Sequence, residues 1–295
     1  MTSPPERKAL VTGADGQVGL ELQATAPPGW RVAAFGRPTL DVTSAEGARD
    51  VFRREAPALV INAAAYTAVD AAEEDPAGAE AVNLLGASQV AQAASEIGAR
   101  VIHLSTDFVF DGRGGRPYRP ADPTNPLCAY GRTKLAGEQA VLRISQGSAL
   151  IMRTAWVYSA RGKNFVLTML RLMREQETVT VVSDQVGTPT WSRGLAEALW
   201  AAAEMPDICG IHHWTDAGVA SWYDFAMAIQ EEALAIGLLP HAARVVPTRT
   251  EDFRAAARRP PYSVLDKTAT WKALGRSAPH WRVNLRSMLR GLPRD

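Results

Sequence analysis

Apolar residues along this chain fall into short runs separated by longer stretches of mixed polarity. Residues 8–12 (KALVT) form the first run, which stops at a glycine cluster, Gly13, Gly16 and Gly19, before the apolar pattern resumes at Val18, Leu20 and Leu22. That order predicts strand, glycine turn and helix. Further runs at residues 31–35, 58–62, 100–105 and 149–154 alternate with helix-like stretches at 77–97 and 130–142. Strands alternating with helices imply βαβ units and a parallel sheet. The runs are almost continuously apolar, as in strands covered by helices on both faces. The predicted fold class is therefore α/β, a doubly wound parallel sheet.

Beyond Trp156 the spacing loosens. Helices are predicted at residues 164–175, 193–204 and 221–236, around short apolar runs at 179–182 and 211–214. This reads as a smaller C-terminal lobe, residues 156–295, with interleaving into the first sheet left open. Residues 111–126 (DGRGGRPYRPADPTNP) hold three glycines and four prolines, which exclude helix and central strand. Such a loop is either an active-site flap or a mobile surface segment.

Composition narrows the function classes. The 295 residues are 46% hydrophobic and 21% charged, with a net charge of +1 and no charge block, so neither nucleic acid nor a membrane surface is an expected partner. The most apolar window, residues 58–65, is too short to span a bilayer. Residues 1–8 lack the apolar stretch of a secretory signal, and cytoplasmic residence is expected. Two cysteines, Cys128 and Cys209, build neither a disulfide framework nor a zinc knuckle.

The glycines of residues 13–19 are spaced GxxGxxG directly after a strand and at the start of a helix. There they allow a tight turn and close approach of backbone N–H groups to a pyrophosphate. The first 155 residues are accordingly read as a dinucleotide-binding Rossmann domain, with Gly13, Gly16, Gln17, Val18 and Gly19 at the phosphates. An Asp or Glu at the end of the second strand would accept the ribose hydroxyls and repel a 2′-phosphate. That strand ends instead in Phe35, Gly36 and Arg37. NADPH is predicted over NADH, with NADH the alternative if Arg37 only faces solvent.

Tyr130 and Lys134 are four residues apart in a helix-like stretch, a spacing that puts both on one helix face. Ser105, Thr106 and Asp107 end the fourth strand, where ligands bind in such sheets. Reduction of a ketone needs a hydride at carbon and a proton at oxygen, and a phenol can supply the proton. An ammonium about 4 Å from the phenol would stabilise the phenolate by roughly 4 kcal/mol, about three pKa units. Lys134 is therefore expected to pull the Tyr130 phenol toward neutrality, and Thr106 to orient the carbonyl.

These residues resemble the extended short-chain dehydrogenase/reductase superfamily, through TGADGQVG (residues 12–19), Asp41 and Val42, NAAA (62–65), STD (105–107) and YGRTK (130–134). A narrower resemblance, to the dTDP-4-dehydrorhamnose reductase family, rests on NAAAYTAVDAAE (62–73), STDFVFDG (105–112), YGRTKLAGE (130–138), RTAWVY (153–158) and DQVGTPT (184–190). GQVGLELQ (16–23) and the NF and TMLRL pieces of residues 164–172 extend the match over most of the chain. The resemblance implies reduction of the 4-keto group of a dTDP-6-deoxy-4-keto sugar. It implies Tyr130 as proton donor, Lys134 as its modulator and Thr106 as carbonyl partner. Asp41 and Val42 are expected at the adenine, and Ala63, Ala64 and Ala65 along the cofactor. Thr67, Thr106, Asp107, Phe108, Trp156, Pro189 and Thr190 are expected at the substrate.

The same resemblance implies a homodimer, and Mg²⁺ in some members. Only Glu21 answers to an acidic metal set here, so no metal ligand is assigned. Related sugar-nucleotide dehydratases carry a Glu where this chain has Phe108, and a phenyl ring cannot transfer protons. Phe108 also replaces a Tyr common in the family, and Pro120 a Glu. Arg254, Arg258 and Arg259 are read either as diphosphate ligands or as surface charge. His212 and His213, adjacent in a strand, point to opposite faces and cannot share a metal. Two other readings stay open: a sister reductase of different C4 stereochemistry, and an NADP-binding regulatory subunit without catalysis.

Overall fold

The computed structural model describes residues 7–293. The leader reading therefore falls largely on residues 1–6, outside the described residues, and the C-terminal unit's last two positions are outside them as well. The chain runs β1 (Arg7–Thr12), α1 (Gln17–Ala24), β2 (Trp30–Phe35), α2 (Ala45–Glu55) and β3 (Leu59–Asn62). It continues through α3 (Ala71–Glu74), α4 (Pro76–Glu80), a π-helical turn Ala81–Gly86 and α5 (Ala87–Glu96) to β4 (Arg100–Thr106). Then come α6 (Ala129–Ile144), β5 (Leu150–Thr154), β6 (Val157–Tyr158), α7 (Phe165–Glu175), β7 (Thr178–Val182), β8 (Val186–Gly187) and β9 (Thr190–Trp191). The rest is α8 (Ser192–Ala203), β10 (Gly210–His213), β11 (Ala220–Ser221), α9 (Trp222–Ala235), β12 (Arg244–Thr248), α10 (Thr268–Ala273) and α11 (Trp281–Arg290).

Six strands form one parallel sheet in the order β10-β5-β4-β3-β1-β2. The chain crosses to one side of β1 for β2 and to the other for β3, so the connection reverses at β1 and β3. A crevice opens outside the carboxyl ends of strands at such a switch. Successive residues of β1 alternate between the two covering layers. Ala9 and Val11 pack with Leu22 of α1 and Leu195 and Leu199 of α8, whereas Leu10 packs with Phe52 of α2, Val90 of α5 and Val141 of α6. Burial on both faces is the physical reason these strands read as continuous apolar runs.

The C-terminal residues do two things. β10 pairs with β5, and α8 lies on the same sheet face as α1, so residues beyond 155 complete the first sheet and one of its helical layers. The others form a second core around Val166, Met169, Leu170, Val179, Phe225, Ile229, Leu285 and Met288, from α7, β7, α9 and α11. The loop at 111–126 contributes no residue to the crevice lining and is tied down by tertiary contacts. Tyr118 donates to the Val264 carbonyl (2.8 Å) and accepts from Asp266 N–H (2.7 Å) through its backbone, and its ring stacks on Phe110 at 4.2 Å. Arg116 adds a two-pronged bond to Asp122 within the loop.

Candidate active site

A cleft of about 870 Å³ lies at the switch point. Gly13 has φ +66°, and a Cβ there would stand 2.7 Å from the backbone of Ala63 and Ala64; one on Gly19 would stand 2.2 Å from the Gly13 carbonyl. Only glycine lets α1 and the loop after β3 close on the turn. The helix opens at Gly16, which has no side chain to cap the first N–H groups. They remain free for an anion, favoured there by the helix dipole. Ser105 Oγ and Thr154 Oγ1 are buried at the cleft without a partner. Glycine cradle, uncapped helix start and unused hydroxyls fit an extended dinucleotide.

The walls collect residues from five loops. Gly13, Gly16, Gln17, Val18 and Gly19 come from the first turn, Arg37, Asp41 and Val42 from the segment after β2, and Ala63, Ala64, Ala65 and Thr67 from the segment after β3. Thr106, Asp107 and Phe108 follow β4, Tyr130 and Lys134 project from α6, and Trp156 follows β5. Pro189 and Thr190 are not part of the lining. Both are buried, and Thr190 pairs with Val157 and donates its N–H to the Trp156 carbonyl, so they sit behind Trp156. The acid missing from the end of β2 arrives from elsewhere: the Asp15 carboxylate packs against Gly36, so closely that a Cβ on Gly36 would clash with it.

Asn83, in the π-helical turn, fixes the segment after β3. It accepts from Tyr66 N–H (2.9 Å) and donates to the Tyr66 carbonyl (3.2 Å) and to Thr133 Oγ1 on α6 (3.1 Å). The helix itself is anchored by Glu138, which receives both arms of Arg153 from β5, at 2.8 and 2.7 Å, in full burial. These bonds place Tyr130 beside Phe108, with ring centroids 5.6 Å apart in an edge arrangement, and the Thr106 hydroxyl near its phenol.

The electrostatics of the pair differ from the expectation drawn from spacing. Burial pushes the Tyr130 phenol well above its ordinary value, with the Thr106 hydroxyl acting to lower it and the Asp107 charge to raise it. Lys134 Nζ donates instead to the Leu104 carbonyl (2.6 Å) and meets His103 Nε2 at 3.5 Å. It stays in the cleft lining, held by that carbonyl, and is pushed down to about 8 by burial. The i, i+4 rule fixed the helix face but not the lysine's rotamer, which a buried carbonyl captures. Asp107 is pushed up to about 6, again by burial.

Along the cleft wall, the Trp156 and Trp222 indoles stack at 3.6 Å with planes 6° apart. Trp222 lies 66 residues further on and carries no local motif, so sequence reasoning missed it. Trp156 has φ +48°, a conformation costly for a bulky residue. A Cβ on Gly187 would stand 2.5 Å from its indole, which accounts for the glycine in DQVGTPT. Of the three arginines considered, Arg259 alone lines the cleft, held by Asp70 through bonds of 2.6 and 3.1 Å. Lys163 joins the lining as well.

His212 turns to Thr270 and the Cys209 carbonyl, whereas His213 is buried against the Tyr118 carbonyl. Cys128 caps α6, and burial pushes its thiol up, which makes it a poor nucleophile. Among the described residues, no group of three or more His, Cys, Asp or Glu could hold a metal ion.

Known proteins converge on one family. The family model described as RmlD substrate binding domain matches residues 7–293. The chain is 45% identical over 291 residues to dTDP-4-dehydrorhamnose reductase of Streptomyces griseus, covering 97% of this chain and 94% of the relative. It is 39% identical to the enzyme of that name from Escherichia coli K12, over 96% of this chain and 97% of that one. A crystal structure of dTDP-4-dehydrorhamnose reductase from Bacillus anthracis in complex with NADP superposes with TM-score 0.91 at 34% identity, covering 97% of this chain and 99% of that one. With fold, cleft and full-length similarity in agreement, the chain belongs to the dTDP-4-dehydrorhamnose reductase family.

Proposed function

We propose that this chain reduces the 4-keto group of dTDP-4-dehydro-6-deoxy-L-mannose to give dTDP-L-rhamnose, with NADPH as reductant. The observation that carries this reading is the convergence of Tyr130, Thr106 and Phe108 in the cleft headed by the glycine turn. When bound, NADPH supplies a hydride to C4 of the sugar. Tyr130 breaks its O–H bond and passes that proton to the C4 oxygen, so the ketone becomes an alcohol. A phenol held well above its ordinary pKa keeps its proton at neutral pH until a strongly basic oxygen develops beside it. Thr106 fixes the direction of the carbonyl, and Phe108, which cannot move a proton, supports reduction over elimination.

Arg37 supports the preference for NADPH, and the stacked Trp156 and Trp222 offer an apolar wall to a sugar or base. Lys134 is assigned to the cofactor's nicotinamide ribose. A cytoplasmic homodimer is the family expectation, and no helix among the described residues is long and apolar enough to cross a membrane.

The test is NADPH consumption by the purified protein with the 4-keto sugar nucleotide, beside Tyr130→Phe, with the C4 configuration of the product read by NMR. Rhamnose from the wild type and loss of turnover by a factor of about 10²–10⁴ in the variant support the reading. The opposite C4 configuration would make it a sister reductase. Cofactor binding without turnover of any 4-keto sugar would favour a regulatory subunit.

A further inference from the structure

Beneath the cleft floor, a line of buried polar groups joins the glycine turn to Lys134. Thr12 Oγ1 donates to Asn62 Oδ1 at 2.6 Å, and Ala64 N–H reaches the same oxygen at 3.2 Å. A backbone N–H is a fixed donor, so the amide oxygen must face it and the amide nitrogen must face the other way. That nitrogen lies 3.0 Å from His103 Nδ1. Nδ1 is therefore the acceptor, and the single proton of the neutral ring sits on Nε2. Nε2 in turn lies 3.5 Å from Lys134 Nζ, whose other partner is the Leu104 carbonyl. Two donors cannot share a hydrogen bond, and Nε2–H can bond to Nζ only when the lysine offers a lone pair.

We propose that His103 is a positioning residue for Lys134: its tautomer, fixed by Asn62, presents an N–H that disfavours the ammonium and leaves the Leu104 carbonyl as the lysine's dock. The groups facing Lys134 are His103 and the Leu104 carbonyl from β4, and Glu138 on its own helix. Glu138 favours the ammonium but is held by Arg153. Burial works in the same direction as His103, holding the imidazole neutral and the lysine below its ordinary range. Resting on the assignment of Lys134 to the cofactor ribose, the same arrangement makes cofactor binding above about pH 8 take up a proton from solvent as the lysine leaves its dock.

Histidine-labelled protein without cofactor reports the tautomer by ¹⁵N NMR. The expected spectrum has one histidine, lost in His103→Gln, with Nε2 protonated and Nδ1 bare from pH 6 to 8. A proton on Nδ1, or an imidazolium at these pH values, would overturn the proposal. The chain has five lysines, so their ¹³C titrations resolve, and Lys134→Met assigns the one in question. It should titrate more than one pH unit below the exposed lysines and rise by at least one unit in His103→Gln, whose amide is free to turn its oxygen to the ammonium. A value that does not move leaves burial as the whole cause and removes His103 from the account. Calorimetry of NADP⁺ binding above pH 8, in buffers of different ionisation enthalpy, should show proton uptake that is smaller in His103→Gln. Failure of NADP⁺ to bind would count against the functional reading while the two NMR results stand independently.

Discussion

The Glu138 carboxylate, one helical turn after Lys134, receives both arms of the Arg153 guanidinium, and neither side chain is more than 2% exposed. The pair joins α6 to β5. Removing one member leaves a buried charge without its partner, which costs about 3–5 kcal/mol. Glu138→Ala should lose that much in urea unfolding, with Glu138→Gln losing less. A loss under about 1 kcal/mol would show that water replaces the guanidinium's partner.

Gly187 and Trp156 give the second expectation. A methyl group at Gly187 would stand 2.5 Å from the indole, so Gly187→Ala should displace Trp156 from its stack with Trp222. The near-ultraviolet circular dichroism of the stacked pair should fall, and KM for the sugar nucleotide should rise about tenfold with little change in NADPH affinity. Unchanged KM would place the sugar away from the indoles.

Arg37 and Asp15 both stand at the end of β2, where the proposed function puts the adenosine ribose. A charge-assisted hydrogen bond contributes about 1.5–3 kcal/mol. Arg37→Ala should therefore weaken NADPH binding by roughly tenfold or more and leave NADH nearly unaffected, whereas Asp15→Asn should shift the ratio toward NADPH. Fluorescence titration with both cofactors decides this. Equal weakening of the two by Arg37→Ala would mean that the arginine does not read the 2′-phosphate.

Asp216 is fully buried at the start of α8, where it accepts from Trp191 N–H, and burial pushes its carboxyl up to about 7. Its folded pKa exceeds the unfolded one, so between about pH 4 and 7 the folded state binds more protons. Stability from this group is thus greatest in acid and falls as pH rises through that window. Asp216→Asn keeps an acceptor for Trp191 and removes the buried charge. It should stabilise the protein by about 1 kcal/mol at pH 8 and flatten this part of the pH profile. Thermal melts across pH 5–8 check both signs.

The readable parts of the fold were those set by local pattern. Residues 8–12, 31–35, 58–62, 100–105 and 149–154 coincide with β1 to β5 within one or two residues, because strands buried on both faces must be apolar throughout. α11 and β12 were not read. β12 is five residues long and interrupted by Pro247, and α11 carries charges between its apolar positions. The loop at 111–126 was legible as a loop but not in its attachment, since the backbone bridge from Tyr118 to Leu265 has no sequence rule.

The sequence by itself determined the βαβ order, the glycine turn and the single helix face shared by Tyr130 and Lys134, because each is written in contiguous residues or a fixed helical spacing. Only the tertiary structure decided that β10 returns to the first sheet, that Asp15 meets Gly36 and that Trp222 stacks on Trp156. It alone decided that Lys134 docks on Leu104 beside His103. These relationships depend on packing between segments tens of residues apart. Their energies come from burial and from satisfying polar groups in a water-poor interior, which no spacing along the chain encodes.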